Sequence, residues 1–289
     1  MPLNLRVFKT RTLTALVFAA LVLGALLWKP VSFFVLIVVV ALGAWLEYFA
    51  LAEKTYGIRI SNPVKAGYLL LTLFGLLYTA GFILSDGPLL EKAALQLRWI
   101  ILVALFILIM LPLMLIQPFP SGAKTRCLSG LVYITFSLGT LLMIRQESEQ
   151  GLFFTCGIIF SIWINDTMAY ITGSLFGKKP LSVISPKKTW EGTIGGVLLA
   201  VLVVYLLGKM VPAVSSIAPR HWLFIALICS VTGTAGDLFE SKLKRMANVK
   251  DSGNILPGHG GFLDRFDSLL FAAPAVWLYL MIADRASVQ

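Results

Sequence analysis

The stretch VSFFVLIVVVALGAWLEYFAL, residues 31–51, decides the class of fold. It carries a single charged side chain, Glu47, in an otherwise apolar run. A helix needs about 20 such residues to cross the hydrocarbon core of a bilayer. Its apolar residues are continuous and do not alternate with polar ones, which excludes the strand pattern of an outer-membrane barrel. Without water, the backbone N–H and C=O groups must pair within the segment, so the run folds as a helix.

Comparable windows lie outward from this one, near residues 12–28, 66–85, 98–118, 127–144, 151–174, 193–212, 221–239 and 262–283. The composition agrees, with 58% hydrophobic and 13% charged residues in 289 and a mean hydropathy of +0.88, far from a soluble domain. The expected fold is an all-α integral membrane protein, a polytopic helical bundle of about nine transmembrane helices. No internal repeat, low-complexity tract or linker divides the chain, so one transmembrane domain over 1–289 is expected. Residues 1–150 would supply largely structural spans and residues 160–270 a catalytic region.

Charge sets the orientation. Basic residues on the side of the N-terminus are Arg6, Lys9, Arg11, Lys54, Arg59, Lys65, Lys124, Arg126, Lys178, Lys179, Lys187, Lys188, Lys242, Lys244, Arg245 and Lys250. The opposite connections hold Lys29, Lys92, Arg98, Arg145, Lys209, Arg220 and Arg285. The positive-inside rule then places the N-terminus in the cytoplasm and the C-terminus outside. No small-residue cleavage site follows the first apolar window before Trp28, so that span is expected to be retained. Cys127, Cys156 and Cys229 are too widely spaced for a zinc site or a disulfide framework.

The two halves differ in chemistry. Before about residue 150 the polar exceptions are Glu47 and the aromatic residues around it, for which lipid-facing and packing duties are expected. From residue 161 polar and ionisable residues appear inside or at the ends of spans: Asn165 and Asp166 in SIWINDTMAYITGS, Asp237 and Glu240 in GDLFESKLKR, and Asp264 and Asp267 at the start of the last span. A carboxylate at membrane depth costs at least ~2.5 kcal/mol, so these groups must face one another, a cavity or a cation. Asp264 and Asp267, three apart, share a helix face and repel unless a proton, a metal or a basic partner intervenes. Asp237 is the natural third ligand, and an oxygen-only set suits Mg²⁺. Salt bridges to Arg245 and Arg265 that close the helix ends are the alternative.

Around these acids lie two basic loops. In GHGGF, Gly258, Gly260 and Gly261 flank His259, and glycine backbone can bring N–H groups close to phosphate oxygens. In GKKPLSVISPKKTWEG, Ser185-Pro186 looks like the N-cap and first residue of a short helix, an anion site beside Lys187 and Lys188. Non-specific binding of anionic headgroups is the plainer reading of either loop. Acids for a metal, cations for phosphates and glycines for close approach, on the side where nucleotides are found, together point to phosphoryl or nucleotidyl transfer. Gly192 and Gly196 are expected to pack helices closely. Trp190 and Trp222 are expected in an aromatic belt, and Glu191 is expected to pair with a lysine.

SKLKRMANVKDSGNILPGHGGFLDRFD, residues 241–267, resembles the signature of the phosphatidate cytidylyltransferase family, the CDP-diacylglycerol synthases. Its fixed positions are all filled: Ser241, Leu243, Lys244, Arg245, Lys250, Asp251, Gly253, Pro257, His259, Gly260, Gly261, Asp264, Arg265 and Asp267. SPKKTWEG, Asp166 and GDLFESKLKR are similar to further family blocks, so the resemblance is strong over about residues 160–270. In the N-terminal half it rests only on the presence of several hydrophobic spans.

The resemblance implies condensation of CTP with phosphatidic acid to CDP-diacylglycerol and pyrophosphate, dependent on Mg²⁺, with room for a second cation. It implies metal ligation by Asp237, Asp264 and Asp267, with Asp251 a further ligand or nucleotide contact. Lys244, Arg245, Lys250 and Arg265 would neutralise phosphates. Ser185, Lys187 and Lys188 would hold either the triphosphate or the lipid headgroup. His259 would bind pyrophosphate or order its loop, and Asp166 would be a ligand or the partner of a lysine. Expected partners are CTP, phosphatidic acid and membrane lipid; a homodimer is left open and no nucleic acid is expected. The expected location is the bacterial inner (plasma) membrane, multi-pass, with the active site on the cytoplasmic side. A CTP-dependent lipid kinase and a cation-coupled transporter are the rival functions; the full signature argues against the first and the lack of paired interrupted spans against the second.

Overall fold

The computed structural model describes residues 5–84, 121–146, 150–255 and 260–287. Besides a single 3-10 turn at Pro212–Val214 they form eight long helices: α1 (Leu5–Trp28), α2 (Pro30–Tyr56), α3 (Asn62–Leu84), α4 (Ser121–Gln146), α5 (Gly151–Phe176), α6 (Trp190–Met210), α7 (Pro219–Met246) and α8 (Leu263–Ser287). Seven of them, α2 to α8, are long and apolar enough to cross a membrane, and α1 contains the shorter apolar helix Thr14–Trp28. The chain is a polytopic membrane protein, and its described residues form helices without a strand-built sheet. Each expected window coincides with a helix except 98–118, which lies outside the described residues.

The helices group into two compact units, Met1–Met143 with Met246–Arg265, and Ile144–Arg245 with Phe266–Gln289. In the first unit α2 is the core. Pro30, whose missing N–H is no loss at a helix start, opens it, and Ser32 Oγ accepts the N–H of Lys29 at 3.0 Å. Gly57, in the left-handed region at φ 61°, closes it. Glu53 then fixes the short link to α3, pairing with Lys65 at 2.9 Å and accepting the Ile60 N–H at 2.8 Å.

Lipid is as apolar as leucine, so contacts between helices rest on close packing and hydrogen bonds. Trp45 stacks on Tyr68 with ring centroids 5.2 Å apart, and its indole N–H donates to Thr135 Oγ1 at 3.3 Å. Thr135 lies in a π-helical stretch of α4, Leu131–Phe136, and also meets Thr72 of α3 at 2.6 Å. The Tyr48 hydroxyl donates to the Arg126 carbonyl at 3.1 Å. Gly130 leaves room for the Trp45 and Tyr48 rings.

In the second unit α5 and α6 lie backbone to backbone. A side chain on Gly192, Gly195 or Gly196 would collide with Ala169, Thr172 or Gly173 of α5, and Thr172 Oγ1 donates across to the Gly192 carbonyl at 3.1 Å. The G-x-x-x-G pair therefore does pack helices. Trp222 corrects an expectation. Instead of standing in an aromatic belt it is buried, because Gly157 and Gly208 together leave a slot for its ring. Trp190 is exposed, as a belt residue would be.

Candidate active site

The loop between α5 and α6 is a hairpin, which corrects the expected short helix at Ser185-Pro186. Pro180 pairs with Thr189, the Leu181 N–H donates to the Lys188 carbonyl at 2.7 Å, and the Lys188 N–H donates to the Ser185 carbonyl at 3.1 Å. Ser-Pro serves here as the first two positions of a turn, where the fixed φ of proline fits equally well. The cap of α6 is Thr189, whose Oγ1 accepts the Gly192 N–H at 3.1 Å. Glu191 takes the backbone N–H groups of Lys178 and Lys179 at 3.1 and 3.2 Å; the expected partner was a lysine ammonium.

The hairpin delivers Lys188 to α7, where it pairs with Asp237. The span expected near 221–239 continues as α7 to Met246, so SKLKR is helical. Glu240, fully buried, pairs with Lys244 one turn further on.

Gly236 brings α8 close. A Cβ on Gly236 would lie 2.5 Å from the backbone oxygen of Asp267 and 3.2 Å from Phe271 Cβ. As a result Asp237, Glu240 and Asp267 each offer a carboxylate oxygen within 4.8 Å of the others. Ser241 Oγ donates to Asp237 at 3.3 Å, and the Ser268 N–H donates to Asp267 at 2.6 Å. The charges of Asp237, Asp166 and Lys188 act on Asp267, which ties Asp166 to the same group. Three clustered carboxylates, one fully buried, form a hard oxygen donor set of the kind that fits Mg²⁺.

Within the first unit the signature loop is built around two other carboxylates. Asp264 Oδ2 accepts the N–H groups of Ser252 and Gly261, both at 2.8 Å, and lies 2.8 Å from Ser252 Oγ. Glu47, buried in α2, accepts the Phe262 N–H at 2.8 Å and the Leu263 N–H at 2.9 Å, and Ser252 Oγ lies 2.7 Å from it. Gly253 and Gly261 have no room for a side chain because the Glu47 carboxylate occupies it, and Gly260, at φ 80°, faces Asp264 in the same way. The close approach these glycines allow is to the protein's own carboxylates. Glu47 thus does more than the packing expected of it. Its signal was present in the sequence, as a lone acid within an apolar span.

Lys187, Arg245, Lys250, Asp251 and Arg265 are exposed, as is Asp166 on α5. Gly258 and His259 lie outside the described residues. Ser185 contributes its carbonyl to the hairpin turn.

Comparison with known proteins adds the lineage. The model of the Cytidylyltransferase family matches residues 9–283, so the match extends through the N-terminal half. The chain is 35% identical to the phosphatidate cytidylyltransferase of Bacillus subtilis over 281 residues, covering 95% of this chain and 97% of that one. It is 33% identical to the Haemophilus influenzae phosphatidate cytidylyltransferase over 288 residues, covering 92% and 96%. With the one from Staphylococcus haemolyticus it shares 34% over 276 residues, covering 94% and 99%.

Proposed function

Because the chain belongs to the cytidylyltransferase family, we propose that it condenses CTP with phosphatidic acid to give CDP-diacylglycerol and pyrophosphate. The observation that carries this reading is the meeting of Asp237, Glu240 and Asp267 with Lys188 and Lys244, in a chain that matches the family almost end to end. An oxygen of the lipid phosphate attacks the α-phosphorus of CTP, the bond between the α-phosphorus and the bridging oxygen breaks, and pyrophosphate leaves. A phosphate monoester is already ionised near neutral pH, so the nucleophile needs no strong base.

The electrostatic problem is the approach of two anions. Asp237, Glu240 and Asp267 would hold Mg²⁺, with Asp264 and Asp251 as further ligand candidates, and a second cation is left open. Bound there, Mg²⁺ supplies charge neutralisation at the phosphates. Lys188 and Lys244 neutralise and orient their acidic partners. Arg245, Lys250, Arg265 and Lys187 are exposed and would meet phosphate oxygens, with Ser185 close in sequence to the last. His259 contacts pyrophosphate or orders its loop, and Asp166 adds charge to the group.

The arrangement we propose is a single transmembrane domain of nine spans in the bacterial inner membrane, with the N-terminus and the active site facing the cytoplasm and the C-terminus outside. It is supported by the excess of basic residues on the N-terminal side. Product analysis tests the reaction. With CTP and phosphatidic acid, a CDP-lipid and pyrophosphate are expected. CDP with a phosphorylated lipid would make the protein a kinase, and no turnover of either substrate would refute both.

A further inference from the structure

Glu47 lies on α2, more than two hundred residues before the loop it touches, and three donors of that loop converge on its carboxylate: Ser252 Oγ and the N–H groups of Phe262 and Leu263. Phe262 immediately precedes α8 and Leu263 is its first residue, so the Glu47 carboxyl group sits at a helix N-terminus and accepts N–H groups that have no partner within the helix. One turn earlier on the same face of α2, Gly43 has no side chain, and the Phe262 ring fills that place. The loop is therefore held at one residue by both its ring and its N–H. Gly253 and Gly261 both leave room for the carboxylate, and the Ser252 hydroxyl lies between it and Asp264.

We propose that Glu47 is a positioning residue for the reaction, acting through the signature loop and the start of α8 without touching substrate. This rests on the synthase reading of the site. Glu47 fixes the Ser252 side chain and the backbone at Phe262 and Leu263 and, through Ser252, the carboxylate of Asp264. A neutral side chain of the same size keeps the volume but turns an amide NH₂ toward backbone donors, leaving at least one of them unpaired. Aspartate is one methylene shorter and does not reach.

The test uses the full-length protein in lipid nanodiscs, with Glu47→Gln, Glu47→Asp, Gly261→Ala and the double variant Glu47→Gln/Gly261→Ala. For both Glu47 variants the expected result is a fall in kcat of about tenfold to a hundredfold. The KM values should stay within about threefold, and amide exchange across 251–255 and 260–263 should quicken about tenfold while α5 and α6 keep their protection. The double variant should lose no more than the worse single one, because both changes disturb one clamp. If Glu47→Gln does not fold, Ser252→Ala removes the shared hydroxyl and carries the same readouts. Unchanged kcat, unchanged loop exchange, or additive losses in the double variant would each overturn the proposal. An inactive wild-type protein would refute the reaction itself, and loop exchange alone would then decide whether Glu47 orders the loop.

Discussion

Replacing Gly236 by alanine puts a methyl group 2.5 Å from the backbone oxygen of Asp267 and 3.2 Å from Phe271 Cβ. Carbon atoms in comfortable contact lie about 3.5–4.0 Å from their neighbours, so α7 and α8 must separate by roughly 1 Å at this level. Both obstacles belong to a helix, one to its backbone, and neither can swing away as a flexible side chain does. Overpacking of this kind costs about 1–3 kcal/mol. Because Asp237 is the next residue, the separation moves its carboxylate away from Asp267, and a misplacement of about 1 Å at a reacting centre costs on the order of a hundredfold in rate. Gly233, one turn earlier, provides the control. A Cβ there has its one tight contact with Ser268 Cβ, at 3.3 Å, the Ser268 hydroxyl and carbonyl oxygens lying at an ordinary 3.7 and 3.8 Å, so a shift of a few tenths of an ångström suffices and the rate should stay within about threefold. The assay is the initial rate of CDP-lipid formation in nanodiscs, beside the thermal midpoint of each variant. Gly236→Ala with wild-type rate and midpoint would refute the close approach of the two helices, and with it the geometry of the acidic group.

Other perturbations separate the remaining parts of the site. Lys188→Ala removes the ion-pair partner of Asp237 and should lower kcat/KM at least about tenfold, measured under steady state, with Lys188→Met no better, since charge and not volume is what it supplies. Thr189→Ala deletes the N-cap of α6 and should cost about 0.5–2 kcal/mol, read as a lower unfolding midpoint in detergent. Chelation by EDTA should abolish turnover and added Mg²⁺ restore it; activity that persists in excess chelator would exclude the metal role of Asp237, Glu240 and Asp267.

The helical membrane fold was legible because a long apolar run has few solutions in lipid, and Pro30 and Gly57 mark the ends of α2 as such residues should. The end of α7 was not. Beyond residue 239 the sequence turns polar and the apolar window ends, yet Glu240 and Lys244 pair along one face and Leu243 is buried, so the helix runs on to Met246. At Ser185 the same two residues open a helix or a turn, and only the pairing of Pro180 with Thr189 decides between them. Trp222 was placed by its nearness to a predicted interface, while the glycines that bury it, Gly157 and Gly208, come from two other helices.

Within the site, Asp237, Glu240, Asp264 and Asp267 were all legible from the cost of acids at membrane depth; the structure groups the first two with Asp267, while Asp264 accepts N–H groups of the signature loop. Glu47 was visible as a charge in the wrong place, but its partners lie more than two hundred residues along the chain. No local spacing could reveal that the glycines of the signature loop leave room for it.

The most direct measurement is pyrophosphate release by the purified protein in nanodiscs containing phosphatidic acid, with CTP and Mg²⁺, beside Asp237→Asn and Asp267→Asn. Release that requires both substrates and disappears in the folded variants is the predicted result. No release by well-folded wild-type protein, or undiminished release by either variant, would contradict the assignment of this acidic group to cytidylyl transfer.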